Sequence, residues 1–415
     1  MLRFTSLQFR LYLSGAKKGV SCFCSPIFHP FCYWKTHYIS DVISLKKGLP
    51  IQPHPMRSSL IFPFVAILFL PFTSWSHPQS PYPVRGLCIA APVANQVENF
   101  ISFIDNTLAP EGVNTLILRI DFRYQFTSRP ELTDLGALNY EQVKQLVNIC
   151  QKNNIRLIPQ INLLGHQSWQ SHLGKLLEVY PQFDETPEIE LPETYTWPND
   201  DGLYCKSYCS RHPEVHQVIW DVVDEIIEVF EADAFHAGLD EVFYIGHDNC
   251  ERCKGFDPSV LFAEEVNRIH QHLQLQDKEL WMWGDRLIDG RTTGIGMWEG
   301  SYNHTWRAID MINKNVVICD WHYERADPTA VLFAAKGFRV LSCPWRNPDI
   351  AVEQEAMVRN FITHSTPEMK DRYLGMLQTV WSSAEQFIHE FRKSDPQDPK
   401  NNSGDCFRAL SKRWK

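Results

Sequence analysis

Two acids stand side by side at Asp240 and Glu241, closing the segment FHAGLDEV at residues 235–242. Four tryptophans, Trp283, Trp321, Trp345 and Trp381, together with Tyr323 and Glu385, each sit at or just past the end of an apolar run. Two acids beside aromatic platforms supply what cleavage of a glycosidic bond requires. One group protonates the leaving oxygen, and a second stabilises the positive charge that develops at the sugar carbon. Adjacent residues of a strand point in opposite directions, so both acids reach one site only where the strand breaks into its loop. Taken singly, these residues have plainer roles: an Asp-Glu pair opens many solvated loops, and tryptophans are more often core than platform.

The second constellation is made of thiols. Nine of the twelve cysteines lie beyond residue 81, and four of them form Cys205-x3-Cys209 and Cys250-x2-Cys253. That spacing suits a closed structural zinc site of four thiolates. If the chain is exported, one or two disulfides fit equally, and four unpaired buried thiols are the third alternative. In every case the role is to brace two loops rather than to catalyse.

Eight β-rich runs are expected to position these residues: Arg85–Ala91, Thr115–Asp121, Ile155–Ile161, Ala234–Leu239, Glu279–Gly284, Val316–Trp321, Phe338–Cys343 and Leu374–Trp381. Most are continuously apolar, as parallel strands buried on both faces must be. Helices are predicted between them. Asn139–Asn153 carries Val143, Leu146, Val147 and Cys150 at helical spacing behind an Asn139/Gln142 capping box. Pro213–Ala232 and Pro258–Leu275 show the same stripe. Eight β/α units in this length predict a (β/α)8 TIM barrel forming a single catalytic domain over residues 85–395, followed by a tail at 396–415. A doubly wound open sheet is the runner-up, but no Gly-rich phosphate loop follows the first strand. The long gap between the third and fourth strands predicts an insertion, with the two cysteine-bearing loops as neighbours. In such a barrel, polar residues at the carboxyl ends of strands are the site candidates. Here these are Arg119–Asp121, Asn162 to His166, Asp240–Glu241, Trp283–Asp285, Asp320–Tyr323, Pro344–Arg346 and Trp381 to Glu385.

Charge narrows the partners. The 415 residues carry a formal net charge of −9, but the first eighty hold eight Lys/Arg against one acid, leaving 32 against 48 in the remainder. So acidic a body offers no footprint for phosphate backbones and excludes nucleic acid as a partner. Within the basic portion, LIFPFVAILFLPF (60–72) follows Arg57 and precedes Ser74-Trp75-Ser76. This reads as a signal peptide over 56–76, too short and proline-broken for a stable membrane span. Met56 is then the expected start, with 1–55 as upstream sequence and 77–84 as a Pro-rich linker, and the mature chain is expected to be secreted or periplasmic.

The motif His236-x-Gly238-x-Asp240-Glu241 resembles the H-x-G-x-D-E signature of glycoside hydrolase family 20, the β-N-acetylhexosaminidases. IPQINLLGH (158–166), WMWGD (281–285), GFRVLSCPW (337–345) and TVWSSAE (379–385) are similar in order to further strand segments of that family, and Arg85-Gly86 looks like its substrate-holding arginine. The resemblance implies exo-acting removal of terminal GlcNAc or GalNAc with no required cofactor. In this scheme the substrate's own 2-acetamido oxygen attacks the anomeric carbon, Glu241 is general acid then base, and Asp240 orients the acetamido group. Arg85 grips ring hydroxyls, His166 hydrogen-bonds within the site, and Trp283, Trp321 and Trp381 wall the acetamido methyl. The family commonly carries a small α/β domain before its barrel, which residues 1–80 do not resemble; this points to the single-domain hexosaminidase D-like branch. Gln160, Asn162 and Leu164 depart from the family's strand-three pattern. Trp345 stands near the place of its strand-seven tyrosine, for which Tyr323 is the substitute candidate. The alternatives are a barrel glycosidase acting on another sugar and a catalytically silent carbohydrate-binding protein. Arg85 as half of a barrel-bottom ion pair and His166 as a helix cap remain the plainer readings.

Overall fold

The computed structural model describes Ser80 and residues 82–196, 205–395, 397 and 399–414. The expected upstream extension and signal peptide, and half of the linker (77–79 and 81), lie outside the described residues. Among the described residues no helix is long and apolar enough to cross a membrane.

Eight parallel strands close into a barrel: β1 (Val84–Ala90), β2 (Thr115–Arg119), β3 (Arg156–Leu163), β4 (Ala234–Gly238), β5 (Glu279–Trp283), β6 (Val317–Trp321), β7 (Arg339–Cys343) and β8 (Tyr373–Val380). Each pairs with its neighbour in sequence, and β8 returns to β1 in the register Val84↔Gly375 to Ile89↔Val380. All eight strands expected from the sequence are present, with bounds shifted by one or two residues at most of their ends.

The apolar runs are explained by the two-residue period of a strand with both faces buried. Cys88, Ile117, Ile158, Ala234, Trp281, Trp283, Val317, Cys319, Leu341 and Leu377 turn inward and fill the lumen. The alternating residues, among them Leu87, Leu116, Leu118, Phe235, Leu280, Met282, Ile318 and Met376, face the surrounding helices. Packing in the lumen is close: a Cβ at Gly86 would lie 2.6 Å from Leu377 Cδ1, so a larger residue there would make that leucine shift.

Helices α1 (Tyr140–Lys152), α2 (Val215–Val229), α3 (Pro258–Gln274), α4 (Pro348–His364) and α5 (Ala384–Lys393) form the outer layer. The capping box on α1 is present, Asn139 and Gln142 bonding each other's backbone N–H. Asp257 caps α3, with Pro258 at its first position. The expected tail at 396–415 is not merely a tail. Ser403–Trp414 is a further helix, α6, whose Phe407, Leu410 and Trp414 are buried in the main core, and Trp414 Nε1 donates to Glu111 O at 2.9 Å.

The β3–β4 insertion is built from a small hairpin (Ser168–Trp169 with His172–Leu173), a short helix (Lys175–Val179) and a returning segment from Cys205. Lys206 pins that return, its buried ammonium bonding Asp184 at 2.5 Å and Thr186 O at 2.8 Å.

Candidate active site

At the end of β4 the backbone turns left-handed at Gly238 (φ +68°), Leu239 (φ +67°) and Glu241 (φ +49°). Glycine is required at 238, where a Cβ would sit 2.1 Å from Asn162 Oδ1. This irregular exit breaks the strand's alternation and brings both acids to the same place. Asp240 Oδ2 and Glu241 Oε2 approach a single atom, His166 Nε2, at 3.1 and 3.3 Å. His166 is itself left-handed (φ +54°) and comes from the loop that leaves β3. Next to it Gly165 lies so near Asp240 O that a Cβ would stand at 2.6 Å.

These groups line a cavity of about 780 Å³ at the carboxyl ends of the strands, a volume suited to a sugar and part of its aglycone. Trp321, Tyr323, Trp345 and Trp381 form one wall; Arg119, Asp121, Asn162 and Trp169 complete it. The wall is tied together. Trp381 Nε1 donates to Tyr323 Oη at 2.8 Å, Tyr323 stacks on Trp321 at 4.9 Å and meets Trp345 edge-on at 5.3 Å. The Arg119 guanidinium lies 4.6 Å from the Trp381 ring centre, donating to Val380 O.

The electrostatics separate the groups. Burial opposes ionisation of Asp240, but the facing His166 outweighs it and holds the carboxyl below its usual range. His166 moves the other way: burial disfavours its cation, yet Cys205 and Asp240 beside it raise it well above an ordinary imidazole. Cys205 completes this triplet, its thiol 3.3 Å from Glu241 Oε2 and 3.6 Å from His166 Nδ1. Below them Asp285 Oδ2 accepts the Glu241 N–H at 2.9 Å and Arg286 Nε at 2.6 Å. Burial pushes Asp285 up to about 6 despite Arg286. Burial also pulls His236 down to about 3, so its imidazole is neutral.

Of the residues expected at the site, Asp240, Glu241, His166, Trp321, Tyr323, Trp345 and Trp381 share the cavity. Three do not. Arg85 is the second residue of β1 and so lies at the amino end of the barrel, opposite the mouth. Its guanidinium donates to the carbonyls of Gly112 and Tyr82 at 2.8 and 3.1 Å, the barrel-bottom position of the plainer reading, held by carbonyls where an ion pair was expected. Trp283 is wholly buried in the lumen, packed 4.5 Å from His236 and 5.8 Å from Trp381. Glu385 is exposed in the first turn of α5, where its charge faces the helix N-terminus rather than the cavity. The expected set of four cysteines also divides. Cys205 joins the acids, while Cys209, Cys250 and Cys253 gather round Glu185. All nine described cysteines are free thiols, so the disulfide alternative is not realised among them.

Sequence reasoning named Arg119 and Asp285 among the strand-end candidates and Cys205 among the clustered thiols without giving them these roles, and it passed over Trp169. Arg119 and Asp285 were within reach, since both stand at carboxyl ends of strands. Trp169 and Cys205 come from the insertion, where no period fixes direction.

A closed parallel barrel with two acids and an aromatic-walled cavity at its carboxyl face is the frame of a barrel glycoside hydrolase. The chain belongs to glycosyl hydrolase family 20, whose catalytic-domain model matches residues 95–389. A β-hexosaminidase of Porphyromonas gingivalis is 24% identical over 310 residues, 66% of this chain and 36% of that protein. One from Vibrio furnissii is 22% identical over 56% of this chain and 38% of its own length. The chain thus spans well under half the length of these curated relatives. Among solved structures, the β-N-acetylhexosaminidase from Bacteroides fragilis matches with a TM-score of 0.57 at 15% identity, over 81% of this chain and 66% of that one. That match shows the shared barrel fold.

Proposed function

We propose that the protein is an exo-acting β-N-acetylhexosaminidase that releases a terminal GlcNAc or GalNAc by substrate-assisted retention. One observation carries the reading. Asp240 and Glu241 reach the same cavity side by side, bridged by one imidazole and faced by an aromatic wall. Family membership supports it.

In this mechanism Glu241 protonates the glycosidic oxygen as the bond to the anomeric carbon breaks, and the acetamido oxygen bonds to that carbon to give an oxazolinium ion. The Glu241 carboxylate then takes a proton from the water that opens the ion, restoring the acid. Asp240 is suited to hold the acetamido N–H. Its charge is favoured by His166, and its Oδ1 is buried without a hydrogen-bond partner. The tryptophan wall gives the acetamido methyl an apolar surround. This route draws its nucleophile from the substrate and calls for no cofactor.

The test is turnover of aryl β-GlcNAc, β-GalNAc and β-glucoside substrates. Hydrolysis confined to the 2-acetamido sugars is expected. Glucoside turnover at comparable kcat/KM selects a different glycosidase, and saturable sugar binding without turnover selects a binding protein. We also propose export of the mature chain, a reading supported by the basic-apolar-small pattern of residues 56–76. A mature N-terminus near His77 is expected; one near Met1 refutes it.

A further inference from the structure

Beside the acids lies a second, separate cluster. Glu185, Cys209, Cys250 and Cys253 present one carboxylate oxygen and three sulfurs, all within 4.8 Å of one another and all from buried residues. We propose that these four residues form a structural site for a single thiophilic divalent cation of the zinc class.

The spacing fits a metal better than a redox pair. Cys209 Sγ lies 3.5 Å from Cys253 Sγ and 3.6 Å from Cys250 Sγ. A tetrahedral ion with bonds of ~2.3 Å to sulfur sets its thiolates roughly 3.8 Å apart, whereas a disulfide needs about 2.05 Å. Three thiols, moreover, cannot all be consumed by pairing with each other. Three sulfurs and a carboxylate make a closed, sulfur-rich set with no open position, the pattern of a structural rather than a catalytic zinc.

The backbone holds the four in place without the ion. Cys253 N–H and Lys254 N–H both donate to Cys250 O, at 3.0 and 2.8 Å, curling the C-x-x-C turn so that its two thiols face one point. Glu185 and Cys209 lie diagonally across a short antiparallel pairing centred on Asp184 and Tyr208, with Glu185 N donating to Ser207 O at 3.0 Å and Cys209 N to Phe183 O at 2.7 Å. Glu185 Oε1 accepts the His247 N–H at 3.2 Å, but Oε2 is buried with no N–H or O–H partner. A buried carboxylate oxygen met only by the weak thiol donors of Cys250 and Cys253 is better matched by a cation. The cation would tie the insertion that carries His166 and Cys205 to the loop that follows Asp240 and Glu241, bracing two sides of the cavity. Cys205 belongs to the acids and not to this set.

The full-length protein, expressed with added zinc and purified under reducing conditions without chelator, is analysed for bound metal by mass spectrometry. One zinc per chain is expected, lost in Cys209→Ser and Cys253→Ser and kept in Cys205→Ser. Where a cysteine variant does not fold, the wild-type holoprotein answers instead: X-ray absorption at the zinc edge should show a sulfur-dominated shell near ~2.3 Å. Stripping the metal should lower Tm and re-adding zinc should restore it. The proposal is overturned by wild-type protein that stays metal-free after reconstitution with zinc, by metal retained in Cys209→Ser, by a shell of nitrogen and oxygen only, or by a disulfide within the cluster.

Discussion

The backbone N–H of Glu241 donates to Asp285 Oδ2 at 2.9 Å, so a carboxylate just past β5 fixes the main chain of the acid past β4. Glu241 sits at φ +49°, a conformation it would not hold unaided. Asp285 is in turn gripped by Arg286 Nε at 2.6 Å and Trp321 Nε1 at 3.3 Å. Arg286 donates onward to the carbonyls of Met297, Trp298 and Gly300. The aim of one catalytic candidate therefore rests on a chain of buried polar contacts through two strands and a loop. Asp285→Ala should lower kcat by roughly 10–100-fold with a smaller change in KM, because it misplaces the acid without removing it. It should also destabilise the fold by about 3–5 kcal/mol by stranding buried Arg286. Steady-state kinetics beside a denaturant titration separate the two effects; unchanged kcat removes Asp285 from the site's support.

His166 offers one nitrogen to two carboxylates, at 3.1 and 3.3 Å. Its cation is favoured by that surround, and it is what holds Asp240 ionised. Replacing it by glutamine keeps a hydrogen-bond donor and removes the charge. Asp240 then loses its main opposing influence to burial, so its pKa rises. The acid limb of the kcat/KM profile should move to higher pH, with an optimum activity lower by about 10²–10³-fold. A pH–rate profile of His166→Gln checks this, and an unmoved acid limb refutes the pairing.

How much of this was legible in the sequence depends on whether a period fixes direction. The strands were readable because both barrel faces are apolar. The exit of β4 was readable because two adjacent acids can share a mouth only by breaking the strand. Trp281 and Trp283 share a face by the same period-two rule, which places Trp283 with the lumen; its neighbouring Gly284-Asp285 drew attention to the mouth instead. Arg85 opens its strand under the expected and the observed bounds alike, which puts it at the barrel floor, whereas Arg119 closes β2 at the rim; the substrate role expected of Arg85 came from the resemblance and not from its position. The cysteines were readable as a cluster but not as a partition. The side on which Cys205 falls is set by how residues 205–214 pack back against 164–186, and the fourth partner, Glu185, lies 20 residues upstream in a stretch with no motif of its own.

A buried histidine outside the acid pair sets the alkaline limit of stability. His322, past β6, donates from Nδ1 to Glu299 Oε2 at 2.6 Å and from Nε2 to Asp320 Oδ1 at 3.1 Å. Burial disfavours its cation, but Asp320 and Glu299 more than offset this and raise it to about 10. A folded-state pKa above the unfolded value of ~6.5 means stability that is complete below pH ~6.5 and lost progressively as pH climbs to the folded value. Tm should therefore fall across that window by an amount corresponding to several kcal/mol. His322→Gln, which cannot titrate, should flatten the decline while lowering Tm at neutral pH. A wild-type Tm that is level from neutral pH to about 10 contradicts the assigned charge.

The division of labour proposed above for the two acids predicts different responses to the leaving group. Glu241 must deliver a proton to the departing oxygen, so Glu241→Gln should cut kcat by about 10²–10⁴-fold on a poor leaving group such as a sugar alcohol. With a nitrophenolate, which departs without protonation, formation of the oxazolinium ion should be nearly spared and the residual loss should come from the hydrolytic step. Asp240 stabilises the acetamido group whatever departs, so Asp240→Asn should slow both substrates by similar factors. Its amide also places an N–H where Oδ1 now offers an unfilled acceptor to the substrate. The plot of log kcat against leaving-group pKa should accordingly steepen for Glu241→Gln and shift down in parallel for Asp240→Asn. Added azide should rescue the first variant more than the second, because a small anion needs no base to open the ion and cannot replace a missing clamp on the amide. Parallel lines for both variants would mean that the two carboxyls do not act in separate roles.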